Sequence, residues 1–258
     1  MPRGTDRYDE ARLQGRLWTP DVLRGSGALE FWVDASDLST ISTATGVSQL
    51  RDKSGKGRHW AQATGASQPT LGSINGRPAL AHTTSHWMAS TWTLSEPLSL
   101  FVVYQQTSAA SVTNMLKGSD TAGYTAGFIF QPRTTAPSAC AGYFISSSQV
   151  VGTLNAAGSN YLQFVGANGA SGVYSQNGAT RATMAGSPGT GSIAAGLSTN
   201  SIGGNVWSGI VGEIIVTAGI VSVPNQQKLE GSSAWKWGLI DNLPASHPYK
   251  NRPPLIGD

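Results

Sequence analysis

The chain has 258 residues, enough to bury a full core as one large all-β domain, and only 12% of them are charged. The formal net charge of +3 is spread out, with no Lys/Arg run to serve as an electrostatic footprint, which argues against a nucleic-acid partner. A single cysteine, Cys140, excludes an intramolecular disulfide and any multi-cysteine metal site; no run of about 18 apolar residues is present to insert in a membrane.

Residues 1–27 form a first segment, expected to be an N-terminal arm. Asp6 is placed to cap a short helix over "RYDEARLQ", Gly15 weakens any extension, and Leu13, Leu17 and Trp18 are available to pack on this chain's own core or on a partner. The start lacks the apolar stretch of a secretory signal. "RGSG" (24–27) reads as a linker to the second unit, 28–258.

From residue 28 the pattern becomes short strands broken by turns. "ALEFWVD" (28–34) and "PLSLFVVYQQ" (97–106) are strand-like, the second apolar on both faces and therefore central. "YTAGFIF", "AGYFIS" and "YLQFVG" continue the series, and "GIVGEIIVTAG" (209–219) is the clearest strand. Asn177-Gly178 supplies two residues tolerant of positive φ between strand-like flanks, a hairpin signal. About a dozen strands with no fixed repeat indicate a sandwich or barrel rather than a propeller.

The chain closes with a helix and a proline-rich tail. Ser222 is a candidate N-cap, Pro224 fits the first turn, and Gly238 stands where the helix stops. Trp235 and Trp237 lie two apart on it, so one is expected to face the sheets and the other to pack under the tail "LPASHPYK".

Three stretches then resemble a known family: "LEFWVDASDLSTI" (29–41), "VSQLRDKSGKGRHWAQATGASQPTLGSINGRPAL" (47–80) and "KLEGSSAWKWGLIDNLPASHPYKNRPP" (228–254). Together they look like the concanavalin A-like lectin/glucanase domains of laminin-G type found in bacteriophage virion proteins and some bacterial surface proteins. The resemblance implies a jelly-roll sandwich of two antiparallel sheets, covered by the C-terminal helix. It also implies a virion structural protein (capsid or tail decoration, or a fibre component), expected as a homo-oligomer or in multiple copies and meeting host cell-surface glycans. Residues 1–27, charge-rich, amphipathic and outside the resemblance, are expected to attach it to other virion proteins. A bacterial glycan-binding surface module is the alternative, and a glycoside hydrolase the third reading.

Candidate site residues follow from that resemblance. Laminin-G-like domains often carry calcium near the sandwich rim, for which Asp34, Asp37 and Asp52 offer hard oxygen ligands; the competing reading has Asp34 and Asp52 capping tight turns. Trp60, Trp87, Trp92, Tyr124 and Trp207 lie near expected turns and are candidates for carbohydrate stacking, against the alternative that they pack the core. Hydrolysis needs two carboxylates flanking the scissile bond. Glu213 stands alone in its strand and no Glu-x-Asp-x-x-Glu string is present, so the sequence leads to the expectation that the protein is not an enzyme.

Overall fold

In a computed structural model the chain folds as a β-sandwich of two antiparallel sheets with one helix near the C-terminus. The structure describes residues 8–10, 14, 16–94, 97–107, 115–119, 127–131, 141–144, 148–151, 155–168, 171–184, 193–197 and 207–258. Cys140, Asp6, Gly15, Leu13 and Tyr124 lie outside these residues.

In chain order the strands are β1 (Leu29–Asp34), β2 (Ile41–Thr43), β3 (Val47–Leu50), β4 (Trp60–Ala61), β5 (Thr70–Ile74), β6 (Arg77–His82), β7 (Met88–Leu94) and β8 (Leu98–Gln106). They continue as β9 (Leu116–Ser119), β10 (Gly127–Gln131), β11 (Ala141–Phe144), β12 (Ser148–Val151), β13 (Asn160–Asn168), β14 (Ser171–Gln176), β15 (Ala182–Met184), β16 (Ile193–Leu197) and β17 (Gly209–Ala218). One sheet runs β15-β14-β13-β8-β17-β6-β5; the other runs β12-β11-β10-β9-β16-β7-β4-β3-β2. In the first sheet β17 is shared: Gly209–Val211 pair with β6, while Glu213–Thr217 pair with β1.

Local chemistry explains the turns. Asn177 and Gly178 both take positive φ (54° and 72°), as the hairpin reading requires, and Asn75-Gly76 does the same between β5 and β6. Strand β8 is buried along nearly its whole length because it lies between β13 and β17 and is covered on both faces.

Two apolar layers result. Between the sheets lies a core that includes Phe31, Trp60, Trp92, Tyr104 and Trp207, with the Phe31 ring 4.8 Å from Trp60 and 5.1 Å from Trp92. On the outer face of the first sheet a second layer, with Trp32, Phe101, Phe164 and Ile215, is covered by Trp18, Leu229 and Trp237. The covering helix is Val223–Trp237. Ser222 caps it by accepting from the Asn225 N–H at 3.4 Å, and Gly238 ends it in the left-handed region (φ 66°).

This helix has little apolar stripe, and its buried side chains include Gln226, Glu230, Ser232, Ser233 and Lys236. Each polar group is therefore matched to a partner, since a bare one would cost several kcal/mol. Glu230 accepts from Ser175 Oγ and Gln226 Nε2, both at 2.8 Å, and meets His247 Nε2 at 3.3 Å. His247 Nδ1 accepts from the Tyr249 N–H, which leaves the proton on Nε2 for Glu230. The tail is thus pinned to the helix through "HPY".

Gly231 lets the tail come close, because a Cβ there would sit 2.5 Å from the Tyr249 Cβ. Gly231→Ala is expected to cost about 1–3 kcal/mol through overpacking. Thermal denaturation checks this, and a variant melting with the parent would show that the tail is not held here.

Residues 16–18 run antiparallel to the tail: Trp18 N–H donates to Pro254 O at 3.0 Å and Ile256 N–H to Arg16 O at 2.8 Å. Leu17 and Trp18 are buried on this chain's own surface, while Asp9, Glu10, Arg16, Asp21 and Arg24 stay exposed. Among the described residues no helix is long and apolar enough to cross a membrane.

Candidate functional site

Strand pairing sets Asp34 of β1 directly opposite Glu213 of β17. A bulge makes this possible. The register between β17 and β8 shifts between Val211 and Glu213, leaving Gly212 as the extra residue. Val211 and Ile214 then both face the inter-sheet core, and Glu213 turns outward beneath the helix instead of being driven into the core. Gly212 is also where Trp237 approaches, since a Cβ there would lie 2.9 Å from the indole ring.

The helix brings Ser233, Lys236 and Trp237 to the two acids. Lys236 Nζ lies 2.6 Å from Asp34 Oδ2 and 3.1 Å from Glu213 Oε1. Glu213 Oε1 also accepts from Trp32 Nε1 at 2.8 Å, and its Oε2 from Trp237 Nε1 (3.1 Å) and Ser233 Oγ (3.2 Å). Four donors therefore converge on one carboxylate that is 2% exposed.

Asp34 is built as tightly. Its Oδ1 accepts from the Ser36 N–H and Oγ, and Oδ2 is shared by Lys236 and, at 3.3 Å, Lys53. Burial alone would raise the Asp34 carboxyl; the ammonium groups of Lys236 and Lys53, with Ser36, hold it well below the usual carboxylate range. Burial would likewise lower Lys236, and the facing Glu213 and Asp34 carboxylates raise it instead.

Lys53 extends the site outward, pairing with Asp37 Oδ2 at 2.7 Å and lying over the Trp32 ring at 4.5 Å. Next to these groups opens a cleft of about 370 Å³, walled by the N-terminal segment (Tyr8, Leu17, Thr19, Pro20), the β1 end and the helix. Arg77 reaches its edge from β6; among the described residues its Nε has no hydrogen-bond partner, and its guanidinium lies over the Tyr8 ring at 5.5 Å.

Calcium does not fit the three aspartates. Asp34 and Asp37 are bridged by Lys53, so an ammonium stands where a metal would have to sit. Asp52 is spent on its own turn: Oδ1 accepts from the N–H groups of Trp32 (3.0 Å) and Ser54 (2.8 Å), and Oδ2 from Ser54 Oγ and the Arg58 N–H. Among the described residues no group of three or more His, Cys, Asp or Glu is placed to hold a metal ion.

Tyr124 lies outside the described residues, and the four described aromatic candidates do not form a sugar platform. Trp60, Trp92 and Trp207 are 1%, 9% and 0% exposed in the inter-sheet core, so they present no open face to a saccharide. Trp87 is half-buried, its backbone bonded to Ser67 and Gln62, away from the cleft. Sequence reasoning missed Lys236, Lys53 and Trp32. The available signal was a lysine between two tryptophans in a helix too polar for its burial.

No family model and no curated protein matches the sequence. Solved structures do match its fold. Domain 4 of AbnA, a GH43 extracellular arabinanase from Geobacillus stearothermophilus in complex with arabinotriose, superposes with a TM-score of 0.60 at 10% identity, covering 79% of this chain and 99% of that one. An arabinofuranosidase complexed with arabinofuranosyl-α-1,2-xylobiose gives 0.54 at 14% identity, covering 80% of this chain and 58% of that one. Trypanosoma rangeli sialidase in complex with 2,3-difluorosialic acid gives 0.53 at 10%, covering 79% and 33%. The chain thus spans 58% of the second and 33% of the third, less than two thirds of either. At such identities the likeness establishes the fold, a sandwich shared with carbohydrate-active proteins.

The expectation of a non-enzyme is corrected by these findings. It rested on an isolated Glu213, whereas Asp34 faces Glu213 across the β1–β17 ladder. The matched sandwiches, moreover, belong to an arabinanase, an arabinofuranosidase and a sialidase.

Proposed function

We propose that this chain is a carbohydrate-recognising β-sandwich whose cleft beside Asp37, Lys53 and Arg77 takes a saccharide. The observation that carries the reading is the composition of the cleft. Half-buried hydrogen-bonding groups (Thr19, Ser36, Asp37, Lys53, Arg77) line it beside the apolar surfaces of Leu17, Pro20 and Trp32. A saccharide has the same two features, hydroxyls and C–H faces, and concave sites of this mixed kind are where small molecules bind. Two of the solved structures sharing the fold hold arabinose-containing oligosaccharides, which supports the class of ligand.

The carrier we propose is a bacteriophage particle, in which the sandwich decorates the capsid or tail, or joins a fibre, and meets host surface glycans. The support is the likeness of the closing segment 228–254 to virion domains and the charge-poor composition of the chain. The exposed charges of the N-terminal segment, among them Asp9, Arg16 and Arg24, are the surface offered to neighbouring virion proteins.

Calorimetric titration with arabino-oligosaccharides and with host-cell polysaccharide tests the ligand. Saturable binding is expected, weakened about tenfold or more in Asp37→Ala and in Arg77→Ala, the loss of one charged hydrogen-bonding group. Binding unchanged in both variants, or absent for every carbohydrate, overturns the cleft as the site. Reducing-sugar release lost in Glu213→Gln would turn the binding reading into a hydrolytic one. Finding the chain in purified phage particles tests the carrier separately.

A further inference from the structure

The buried trio of Lys236, Asp34 and Glu213 is more than a binding cleft needs. Its Lys236 and Asp34 side chains are 9% and 6% exposed, and Glu213 is 2% exposed. An amine touches a carboxyl at 2.6 Å, both held by rigid elements, and a second carboxylate stands 3.1 Å from the same nitrogen. We propose that Lys236 and Asp34 condense to an intramolecular amide, an isopeptide bond, with Glu213 as the proton carrier.

The arrangement supplies what amide formation lacks in free solution. First, the reacting groups are pre-positioned at contact distance, which replaces the entropy of bringing them together. Lys236 is fixed by the helix whose end is capped at Gly238, and Asp34 by its ladder to Glu213. Second, the site is largely dry, and burial by itself opposes both charges; the facing carboxylates and ammonium groups keep Asp34 and Lys236 ionised at rest, so the reaction starts from the ion pair and begins with proton transfer to Glu213. Third, Glu213 is held to the task by Trp32 Nε1 on Oε1 and Trp237 Nε1 on Oε2, which fix the carboxylate with Oε1 3.1 Å from the ammonium nitrogen.

The chemistry balances without any co-reactant. Lys236 gives one proton to Glu213 Oε1, and the freed lone pair attacks Asp34 Cγ to form the C–N bond. The nitrogen loses a second proton, and one Asp34 oxygen leaves as water with both protons, the first returned through Glu213. An ammonium and a carboxylate become an amide and one water, and Glu213 ends as it began. The neighbouring cleft, which Asp34 and Lys236 both line, gives the water its exit.

Lys53 is the competing amine, also 3.3 Å from Asp34 Oδ2, but its side chain is 22% exposed and paired with a more exposed Asp37. Water stabilises that charged pair, so the bond forms at Lys236. The consequence is a covalent link from β1 to the C-terminal helix in a chain whose lone cysteine rules out a disulfide. An amide at Asp34 also removes that carboxylate from any hydrolytic role, so the cross-link and hydrolysis through Asp34 exclude each other.

Intact mass of the full chain, measured after denaturation, decides the matter independently of glycan binding. The expected mass is lower than the sequence mass by one water. Trypsin should then leave Lys236 uncut and yield a branched peptide joining residues 25–51 to residues 229–250. Asp34→Asn should lose ammonia in place of water. Glu213→Gln should show the full sequence mass while keeping a cooperative unfolding transition. Parent protein at full sequence mass after prolonged incubation at neutral pH overturns the proposal, and this reading stands even where a variant fails to fold. Cross-linking in Glu213→Gln as complete and as fast as in the parent overturns the proton-carrier role.

Discussion

Replacing Trp237 by alanine is expected to cost about 3–5 kcal/mol, the usual loss for truncating a buried tryptophan, from lost transfer energy and the cavity left behind. The ring is 0% exposed, belongs to the apolar layer between helix and sheet, and rests on the bulge at Gly212. Its Nε1 is also one of the four donors on Glu213, so the truncation leaves a buried carboxylate short of a partner. Whole domains are stable by only about 5–15 kcal/mol, so the variant should be marginal. Trp235→Ala should cost less. Trp235 faces the other way, packing with Tyr8, Leu17 and Ile240 and donating to the Tyr249 carbonyl at 2.8 Å, so its loss loosens the tail and N-terminal segment rather than the helix seat. Urea unfolding of the two variants checks both statements. If both unfold like the parent, the segment does not hold helix and tail onto the sandwich and the covering role fails.

The closing helix was legible because its signals are local. Ser222, Pro224 and Gly238 act through their own backbone geometry, and the structure uses each as the chemistry of caps requires. The Asn177-Gly178 turn and the doubly apolar β8 were legible for the same reason. Most strands of the second sheet were not. Trp60–Ala61 is two residues long, and Met88–Leu94 reads "MASTWTL", with too little alternation to stand out. Asn75-Gly76 carried the same hairpin signal as Asn177-Gly178, but Pro78 and the weak alternation of "RPALAH" hid its flanks.

The site was half legible. Asp34, Asp37 and Glu213 are visible as acids in an acid-poor chain, yet nothing local says that Asp34 and Glu213 meet. Their encounter depends on the pairing of two strands far apart in sequence and on a single bulged glycine that turns Glu213 outward. Of the two readings of the aspartates, turn capping describes Asp52 and the Ser36 side of Asp34, and the positive charge that meets Asp34 and Asp37 is carried by Lys53 and Lys236 in place of calcium. Lys236 was hidden by its type: a helical lysine ordinarily faces water, and only a packed structure shows that this one does not. The tryptophans misled in the opposite direction, since closeness to a turn in sequence says nothing of which face a strand residue takes.

Acidification should reveal a second buried group, His82. It is 3% exposed beside Trp207, and neither ring nitrogen has a hydrogen-bond partner among the described residues. Burial is the main cause that pushes its pKa from 6.5 down to about 3; the nearby His86 backbone opposes this slightly and the His86 ring adds to it. The folded state thus keeps the ring neutral while the unfolded chain protonates it near pH 6.5. With the folded pKa depressed, the unfolded state binds more protons between those values, so stability falls as pH drops from about 6.5 toward 3. The full loss is about 3–6 kcal/mol, of which roughly 2–3 kcal/mol is already gone at about pH 4.5. That upper window isolates His82, because the paired acids Asp34, Asp37 and Glu30, all held low by lysine or arginine, lose their contributions only further down, below about pH 4.5. His82→Phe keeps the ring volume and removes the titration. Urea midpoints at neutral pH and near pH 4.5 should therefore separate strongly for the parent and little for the variant. An equal separation in both would show that the acid sensitivity lies elsewhere, and that His82 finds water or a partner when it is charged.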